Sequence, residues 1–349
     1  MLHLYSINKP KVIHSFGISF QIGNHFFGTD FVGRGGNGFG MRESNTVAAH
    51  LALLVCNIIW ACDYPFYSLV LGKYVSPLAM VTASLLVAAL WSLLPLLWGR
   101  GERIEPQDRI KILGAALLIG LARKLCMMYG LTHTSPIDGS IISTTTPLLV
   151  LLLSVLAGME RFTKTKVIGL LLGMAATVAV ILSSNDGAHE KSSTMGNILI
   201  FTSACVSAAY MVWFKQLLTK YRVSTLLRWV YCFSALVVLP FGAHSLTTIH
   251  LHTMRPEILL ATLFVLILPT YLPNRLLNYS LRFVPPTVSS TYSFLQPVVA
   301  IGLSVLMGLD KLHADSALFA LLLFVGVGMV IHSYRKGSHS AMTNPTSRA

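Results

Sequence analysis

The stretch Tyr129-Gly-Leu-Thr-His-Thr-Ser-Pro136 decides the fold, because the chain repeats its pattern as Tyr279-Ser-Leu-Arg-Phe-Val-Pro-Pro286. The tyrosines and the final prolines of the two stretches are both about 150 residues apart. The same offset also pairs Pro147 with Pro297 and Leu153-Ser-Val-Leu156 with Leu303-Ser-Val-Leu306. Prolines seldom recur at one unbroken spacing in apolar sequence by chance, so the chain is predicted to contain two structural repeats.

The composition is that of a membrane protein. Hydrophobic residues make up 54% of the chain and charged residues only 11%, whereas a soluble domain carries roughly 25% charged residues. The formal net charge of +13 comes largely from short loops, which fits cytoplasmic loops better than nucleic-acid binding. The five cysteines lie within apolar runs without metal-like spacing, so neither disulfides nor a metal site are predicted.

Apolar runs long enough to cross a bilayer follow one another along the chain. They predict ten spans, at 47–71, 77–98, 109–129, 136–157, 164–184, 195–216, 224–243, 256–280, 286–307 and 316–334. Most loops after the even-numbered spans are rich in lysine and arginine, so both termini are expected in the cytoplasm. Five spans per repeat is an odd number, so the second repeat must be inverted. Inverted repeats are typical of secondary transporters, which bind substrate near the membrane midplane between the repeats.

Domain boundaries follow from the spans. Residues 1–45, which include Gly33-Arg-Gly-Gly-Asn-Gly-Phe-Gly40, show no sustained periodicity and are predicted to be a disordered tail. Met41 could equally be the true start, which would make the preceding residues a misassigned extension. Two five-helix repeats are predicted at 47–184 and 195–335, followed by a cytoplasmic tail at 336–349.

Short motifs in the spans carry a family resemblance. They are Asn57-Ile-Ile-Trp60, Gly130-Leu-Thr-His-Thr-Ser-Pro136, Thr146-Pro147 and Glu160-Arg161-Phe162 in the first repeat, and Ser207-Ala-Ala-Tyr210, the run from Tyr271 to Asn278 and Tyr292-Ser-Phe-Leu-Gln-Pro297 in the second. Over roughly 47–336 the chain resembles the EamA-like branch of the drug/metabolite transporter superfamily. The resemblance implies ten helices in the cell (inner) membrane and movement of small metabolites, commonly amino acids. Many relatives carry an arginine where this chain has Ser84, so the role of that arginine is not carried over.

Polar residues inside the spans are the candidate substrate site, since a charge within the bilayer usually faces a cavity or a partner. Lys124 and Arg275 are predicted to attract an anionic group of the substrate, and Arg123 is the weaker candidate. Snorkelling of these cations to the membrane interface is the structural alternative. The other predicted substrate-binding residues are Asn57, Trp60, Asn278, Tyr292 and Gln296. Of these, Trp60 and Tyr292 would pack against the substrate, and Asn278 and Gln296 would orient it. Ordinary helix packing is the alternative for Trp60.

Two aspartates lie within the apolar sequence. Asp63 is a candidate for proton coupling if burial keeps it titratable, although it could instead pair with a basic residue or lie at the mouth of the site. Asp138 follows Pro136 in the first turn of the fourth span. A carboxylate is stabilised at a helix N-terminus, so capping is the preferred interpretation for Asp138.

The predicted function is secondary transport of a small metabolite by alternating access. Export is what the family resemblance implies, and a lipid-linked sugar or lipid flippase on the same fold is the alternative. The chain has no Gly-x-x-x-x-Gly-Lys-Ser/Thr loop and no catalytic motif, so no cofactor, ATP drive or enzymatic activity is predicted. The expected partners are a small molecule with an anionic group and the lipid bilayer, with no nucleic acid. A homodimer is left open.

Overall fold

The computed structural model describes residues 38–95, 102–159, 163–183, 192–249, 251, 254–309, 314, 317–326 and 328–329. Within these residues the chain is helical, apart from turns and an isolated bridge between Leu71 and Val75. The predictions for residues 1–37, for Glu160-Arg161-Phe162 and for the tail at 336–349 lie outside the described residues.

Ten helical spans follow one another in the described part of the chain, as predicted. They are α1 (Gly38–Val70), α2 (Pro77–Leu93), α3 (Pro106–Ala115, Ala116–Ala122 and Arg123–Thr132), α4 (Pro136–Leu156), α5 (Lys164–Ser183), α6 (Thr194–Trp213), α7 (Val223–Leu246), α8 (Pro256–Leu281), α9 (Pro286–Leu306) and α10 (Ala317–Gly326). Among them α1, α4, α6, α7, α8 and α9 are long and apolar enough to cross a membrane. The all-α polytopic fold with two inverted five-helix repeats is confirmed.

Prolines and serines fix the helix starts. The helices α2, α3, α4, α8 and α9 begin at Pro77, Pro106, Pro136, Pro256 and Pro286, because proline is preorganised for the first helical position, where no backbone donor is needed. Ser135 accepts the backbone N–H of Asp138 at 3.1 Å and is therefore the N-cap of α4. Asp138 lies in the first turn, where its carboxylate accepts the hydroxyl of Ser192 at 2.6 Å.

The first helix starts earlier than predicted. The helix α1 begins at Gly38, whereas the sequence predicted disorder up to residue 45 and a span from residue 47. The candidate membrane span within α1 is Asn45–Val70, close to the predicted span at 47–71. Hydropathy marks only the residues that are apolar enough for a membrane, so it does not predict how far a helix extends beyond them.

Two prolines interrupt the backbone ladder of α8 where it packs against α1. Pro269 and Pro273 have no N–H, so the carbonyls of Val265 and Pro269 lose their partners within the helix. Side chains of α1 replace them: the Tyr67 hydroxyl donates to Val265 O and Trp60 Nε1 donates to Pro269 O, both at 3.3 Å. This repair lets prolines stand in the middle of a membrane helix.

The helix α3 is interrupted at the equivalent depth. Residues Ala116–Ala122 form a π-helical segment, and the repeat offset of about 150 residues carries this segment onto the proline region of α8. The hydroxyl of Ser234 donates to Ala116 O at 2.9 Å, which again satisfies a backbone carbonyl from another helix. Both repeats therefore contain a weakened helix at matching positions.

The fourth helix of each repeat is also interrupted. In α4 the helix breaks between Ser143 and Thr146, and in α9 a 3-10 segment covers Thr291–Phe294. Each break lies within the turn before one of the paired prolines, Pro147 and Pro297. Proline has no N–H, so the carbonyls four residues earlier, those of Ser143 and Ser293, lose their partners within the helix, and the repeated prolines produce repeated irregularities.

Replacing Gly326 with valine is expected to destabilise the contact between α5 and α10. A Cβ atom at this position would lie 2.7 Å from the carbonyl oxygen of Gly169 and 2.8 Å from the nitrogen of Gly173. Overpacking of this kind costs about 1–3 kcal/mol, and thermal unfolding in detergent would measure it. Gly328→Val is the control, because an added Cβ there meets no described atom within 4 Å. If both variants lose the same amount of stability, the prediction is contradicted.

Candidate functional site

Two adjoining cavities lie between the repeats and share the side chains of Trp60, Ile119, Arg123 and Met127. Cavity 1, of about 20 Å³, lies among α1, α2, α3, α7 and α8. Cavity 2, of about 60 Å³, lies among α1, α3, α4, α6, α8 and α9. About 10–15 Å³ of such volume holds one water molecule, so both cavities are small in this conformation.

Cavity 1 is lined by three charged side chains. Asp63 comes from α1, and Arg123 and Lys124 come from the turn of α3 that follows the π-helical segment. Lys124 donates to the hydroxyl of Thr270, whereas in the described part of the chain no ion pair joins Asp63 to either cation. Two cations against one carboxylate give the cavity a positive formal charge.

Trp60 and Arg123 lie in contact with each other where the two cavities adjoin. The Arg123 guanidinium lies 5.1 Å from the centroid of the Trp60 ring, and its Nε donates to the Ser207 hydroxyl at 2.8 Å. The indole N–H of Trp60 is held by Pro269 O. Both side chains line both cavities, so a movement of this pair would join the cavities or divide them.

Cavity 2 has a polar wall that connects α1 to α9. Gln296 donates to Asn57 Oδ1 at 2.8 Å and accepts the hydroxyl of Tyr64 at 3.3 Å. Asn57 in turn donates to Leu53 O at 2.8 Å. Small hydroxyl residues complete the lining, namely Ser143, Thr146, Ser203, Ser207, Ser289, Ser290 and Ser293. The wall therefore offers both donors and acceptors beside the apolar side chains.

Comparison with known proteins identifies the family. The sequence profile of the EamA-like transporter family matches twice, over residues 47–182 and 194–332. The chain belongs to this family. The family is one of transporters, and the apolar helices of the chain fit a multi-pass membrane protein. Its relatives are named as transporters, which points to a non-enzymatic protein.

This EamA-like transporter is similar to two transporters of Bacillus subtilis (strain 168). It is 28% identical to "Uncharacterized transporter YetK" over 188 residues, which are 52% of this chain and 55% of YetK. It is 22% identical to "Uncharacterized transporter YcxC" over 269 residues, which are 74% of this chain and 85% of YcxC. The match to YetK thus spans about half of that relative's length. A solved crystal structure with 18% identity and a TM-score of 0.55 covers 82% of this chain and 97% of its own, and shows the same fold.

The structure brings together some of the predicted site residues of this EamA-like transporter. Asn57, Trp60 and Gln296 line cavity 2, and Trp60 also lines cavity 1 with Asp63 and Lys124. Asn274, which the repeat offset pairs with Lys124, lines cavity 1 as well. Their roles in substrate binding stay predictions.

Three other predicted residues line neither of the two cavities described. Arg275 is half-buried and donates to the hydroxyl of Tyr271 at 3.4 Å. Asn278 accepts the Tyr210 hydroxyl at 2.8 Å and donates to Asn274 O at 2.8 Å. The hydroxyl of Tyr292 lies 2.7 Å from His50 Nδ1. A substrate role for these three residues likewise stays a prediction.

Arg123, the weaker candidate in the sequence, lines both cavities. The reason lies in the π-helical segment that ends at Ala122. A π-helix hydrogen-bonds to the fifth residue instead of the fourth, so the residues after it face a different direction from that expected of a regular helix. Sequence periodicity assumes a regular helix and therefore could not show that Arg123 lines both cavities.

An ionic latch joins the two repeats at one end of the bundle. We use this name for Glu105, Asp108, Lys220 and Tyr221. Lys220 Nζ lies 2.6 Å from both Glu105 Oε2 and Asp108 Oδ2. The Tyr221 hydroxyl donates to Asp108 Oδ2 at 2.8 Å. The two carboxylates precede and begin α3, whereas Lys220 and Tyr221 lie between α6 and α7, so the latch holds these connections together.

Lys220→Ala is expected to weaken the latch, so the stability of the variant should depend less on pH than that of the wild type. The hydrogen bonds from Lys220 and Tyr221 lower the pKa of Asp108 from its ordinary value of 3.8 to about 2. Because the pKa is lower in the folded protein, the resulting stability is present above about pH 4 and is lost as the pH falls through about 2. Thermal unfolding at a series of pH values would show a flatter profile for the variant in this range.

Lys111→Ala is the control for the latch. Lys111 also lies near Asp108, at 3.3 Å, but its side chain is 62% exposed, compared with 39% for Lys220. Exposed ion pairs contribute little to stability, so this variant should unfold like the wild type. If both variants lose the same stability, the latch does not depend on Lys220.

Proposed function

We propose that this EamA-like transporter moves small metabolites with an anionic group, such as amino acids, across the membrane by alternating access, and that it exports them. One observation carries the proposal: two cations, Arg123 and Lys124, line cavities that lie between the inverted repeats. Inverted-repeat transporters bind substrate at this interface. Cations within the helices that have no ion-pair partner among the described residues suit a site that receives an anion.

In the proposed complex, Arg123 is the principal contact for the anionic group. Its guanidinium is already oriented by Trp60 and Ser207, and a planar guanidinium can bind a carboxylate through two parallel hydrogen bonds. Lys124 adds a second positive charge from cavity 1. Trp60 packs against the body of the substrate, and Asn57 and Gln296 orient its polar groups from cavity 2. Arg275 is not assigned this contact because it lines neither cavity.

The small cavities support a cycle with more than one conformation. Ligand sites commonly measure about 300–1,000 Å³, whereas the two cavities measure about 20 and 60 Å³. We infer that the described conformation is a closed state and that the helices around Trp60 and Arg123 separate to admit a metabolite. The interrupted helices α3 and α8 border both cavities and are suited to such movement.

The proposed orientation places both termini in the cytoplasm of a cell whose inner membrane holds the protein. It rests on the excess of lysine and arginine in the loops after the even-numbered spans. In this orientation the ionic latch closes the cytoplasmic end of the bundle. Export then requires the latch to open before a cytoplasmic substrate can reach the cavities.

Counterflow in proteoliposomes tests the proposed function. Vesicles loaded with one unlabelled amino or organic acid are diluted into the same labelled compound, and each compound is tested in turn. Saturable accumulation of at least one anionic metabolite is expected, without faster flipping of a fluorescent lipid in the same vesicles. Lipid flipping without metabolite counterflow would overturn the proposal in favour of a flippase.

Asp63→Asn is expected to uncouple transport from the proton gradient. Asp63 is buried in cavity 1, where Arg123, Lys124, Tyr67 and Tyr231 face the same space. An amide of the same shape cannot take up or release the proton. The measured quantity is the ratio of transport rates with and without an imposed proton gradient, which should exceed 1 for the wild type and be about 1 for the variant.

Asp138→Asn is the control for coupling. Asp138 is equally buried, but it bonds Ser192 and lines neither cavity. This variant should keep the rate ratio of the wild type. If Asp63→Asn has the same rate ratio as the wild type, Asp63 does not take part in proton coupling.

A further inference from the structure

Cavity 1 contains two buried oxygen atoms that accept no hydrogen bond within the described part of the chain. They are Asp63 Oδ1 and Asn274 Oδ1. Each of the two residues is only 4% exposed. Leaving a buried acceptor unpaired costs about 1–3 kcal/mol, and more for a charged group. A pair of such atoms on one cavity therefore points to a ligand that supplies hydrogen-bond donors.

The orientation of the Asn274 amide is set by its other atom. Its Nδ2 donates to Thr270 O at 2.8 Å. The reverse orientation would place two oxygen acceptors against each other, because a backbone carbonyl cannot donate. Asn274 thus presents an oxygen as its second polar atom. The free acceptor is a consequence of the hydrogen-bond network around α8.

The neighbouring acceptors of cavity 1 are already engaged by the protein. Trp60 Nε1 donates to Pro269 O, and Lys124 donates to the Thr270 hydroxyl. The Tyr231 hydroxyl donates to Thr270 O at 2.6 Å. The donor Nε of Arg123 is likewise engaged, by Ser207 in cavity 2. Among the described residues that line cavity 1, Asp63 Oδ1 and Asn274 Oδ1 are buried oxygens that accept no hydrogen bond.

We infer that Asp63 Oδ1 and Asn274 Oδ1 form a subsite for a protonated primary amine of the substrate. This inference rests on the proposed function. It adds an ammonium group, besides the anionic group, to the parts of the substrate that the protein recognises. An ammonium group has three donors and a positive charge, which suit one carboxylate and one amide oxygen. The aromatic rings of Trp60, Tyr67 and Tyr231 line the same cavity and attract a cation through their faces.

The geometry favours an ammonium group over a bound metal ion. Hard metal cations take roughly six oxygen ligands, whereas cavity 1 offers two buried oxygens that accept no hydrogen bond from the described residues. Its volume of about 20 Å³ matches a group the size of one water molecule. The anion would contact Arg123 at the border of cavity 2, so one small molecule could reach both subsites.

Matched pairs of ligands test the ammonium subsite. Each amino acid of a standard set is compared with the 2-hydroxy acid that carries a hydroxyl in place of the ammonium group, by counterflow competition in proteoliposomes. The wild type should prefer the amino acid in at least one pair by about 10- to 100-fold, as loss of a charged hydrogen bond implies. Asp63→Asn should reduce this preference to nearly 1, and Asn274→Leu should reduce it in part.

Ser304→Ala is the control for removing an unpaired buried polar atom. Ser304 Oγ is also buried and has no hydrogen-bond partner among the described residues, but Ser304 lines neither cavity, so the variant should keep the preference of the wild type. Hydroxy acids that compete as well as the amino acids would overturn the ammonium subsite and leave the anion proposal standing. If no acid of either kind competes, both proposals are wrong. An undiminished preference in both Asp63→Asn and Asn274→Leu would place the amine elsewhere.

Discussion

Arg123→Ala is expected to lower the transport of an anionic metabolite by about 100-fold, since truncating one partner of a buried charged pair costs about 2–5 kcal/mol. The guanidinium lines both cavities and is held between the Trp60 ring and the Ser207 hydroxyl. Alanine would remove the charge without replacing its hydrogen bonds. Initial counterflow rates at equal amounts of reconstituted protein would measure the loss.

Two further variants make this experiment specific. Arg123→Lys keeps the charge but loses the planar fork and its stacking on Trp60, so an intermediate rate is expected. Arg275→Ala is the matched control, because it removes another half-buried arginine that bonds Tyr271 and lines neither cavity. If Arg275→Ala impairs transport as severely as Arg123→Ala, the anion contact must be assigned to both arginines.

Trp60→Ala is expected to impair folding and transport together. Trp60 is half-buried, so the free energy of unfolding should fall by less than the roughly 3–5 kcal/mol that is common for a fully buried large aromatic. The variant would leave Pro269 O without its donor and remove the surface on which Arg123 lies. Transport per folded molecule should fall at least about 10-fold, because Arg123 is no longer oriented.

Trp60→Phe separates the two contributions. It keeps an aromatic ring beside Arg123 but leaves Pro269 O unpaired, which costs about 1–3 kcal/mol in stability. Its transport should therefore exceed that of Trp60→Ala. Trp213→Ala is the control, since Trp213 is 58% exposed, and its stability should change little. A stable and active Trp60→Ala protein would show that neither contact matters.

The helical architecture could be predicted from the sequence because each of its causes is local. Apolar length determines the spans, and the prolines at 136, 147, 286 and 297 mark equivalent breaks and starts in the two repeats. The repeat offset also paired Lys124 with Asn274, and the structure places both on cavity 1. Symmetry between repeats therefore carried information about position that hydropathy alone does not contain.

The parts that could not be predicted depend on contacts between distant residues. Lys220 and Asp108 are 112 residues apart in sequence, and in a loop both look like ordinary solvated charges. The side of α3 on which Arg123 lies depends on a π-helical segment, and apolar composition does not reveal such a segment. The free oxygens of Asp63 and Asn274 can be recognised only after the partners of every neighbouring group are known.

The broken backbone ladders of α3 and α8 have a mechanical consequence. A regular helix is stiff because each turn is braced by its own hydrogen bonds. In α8, side chains of α1 replace two of these backbone hydrogen bonds: Tyr67 donates to Val265 O and Trp60 donates to Pro269 O. The stiffness of α8 at its prolines therefore depends on its contact with α1. Trp60 also borders both cavities. If Trp60 turns toward a bound substrate, it releases Pro269 O. The movement that forms the substrate contact would then also allow α8 to bend at its prolines.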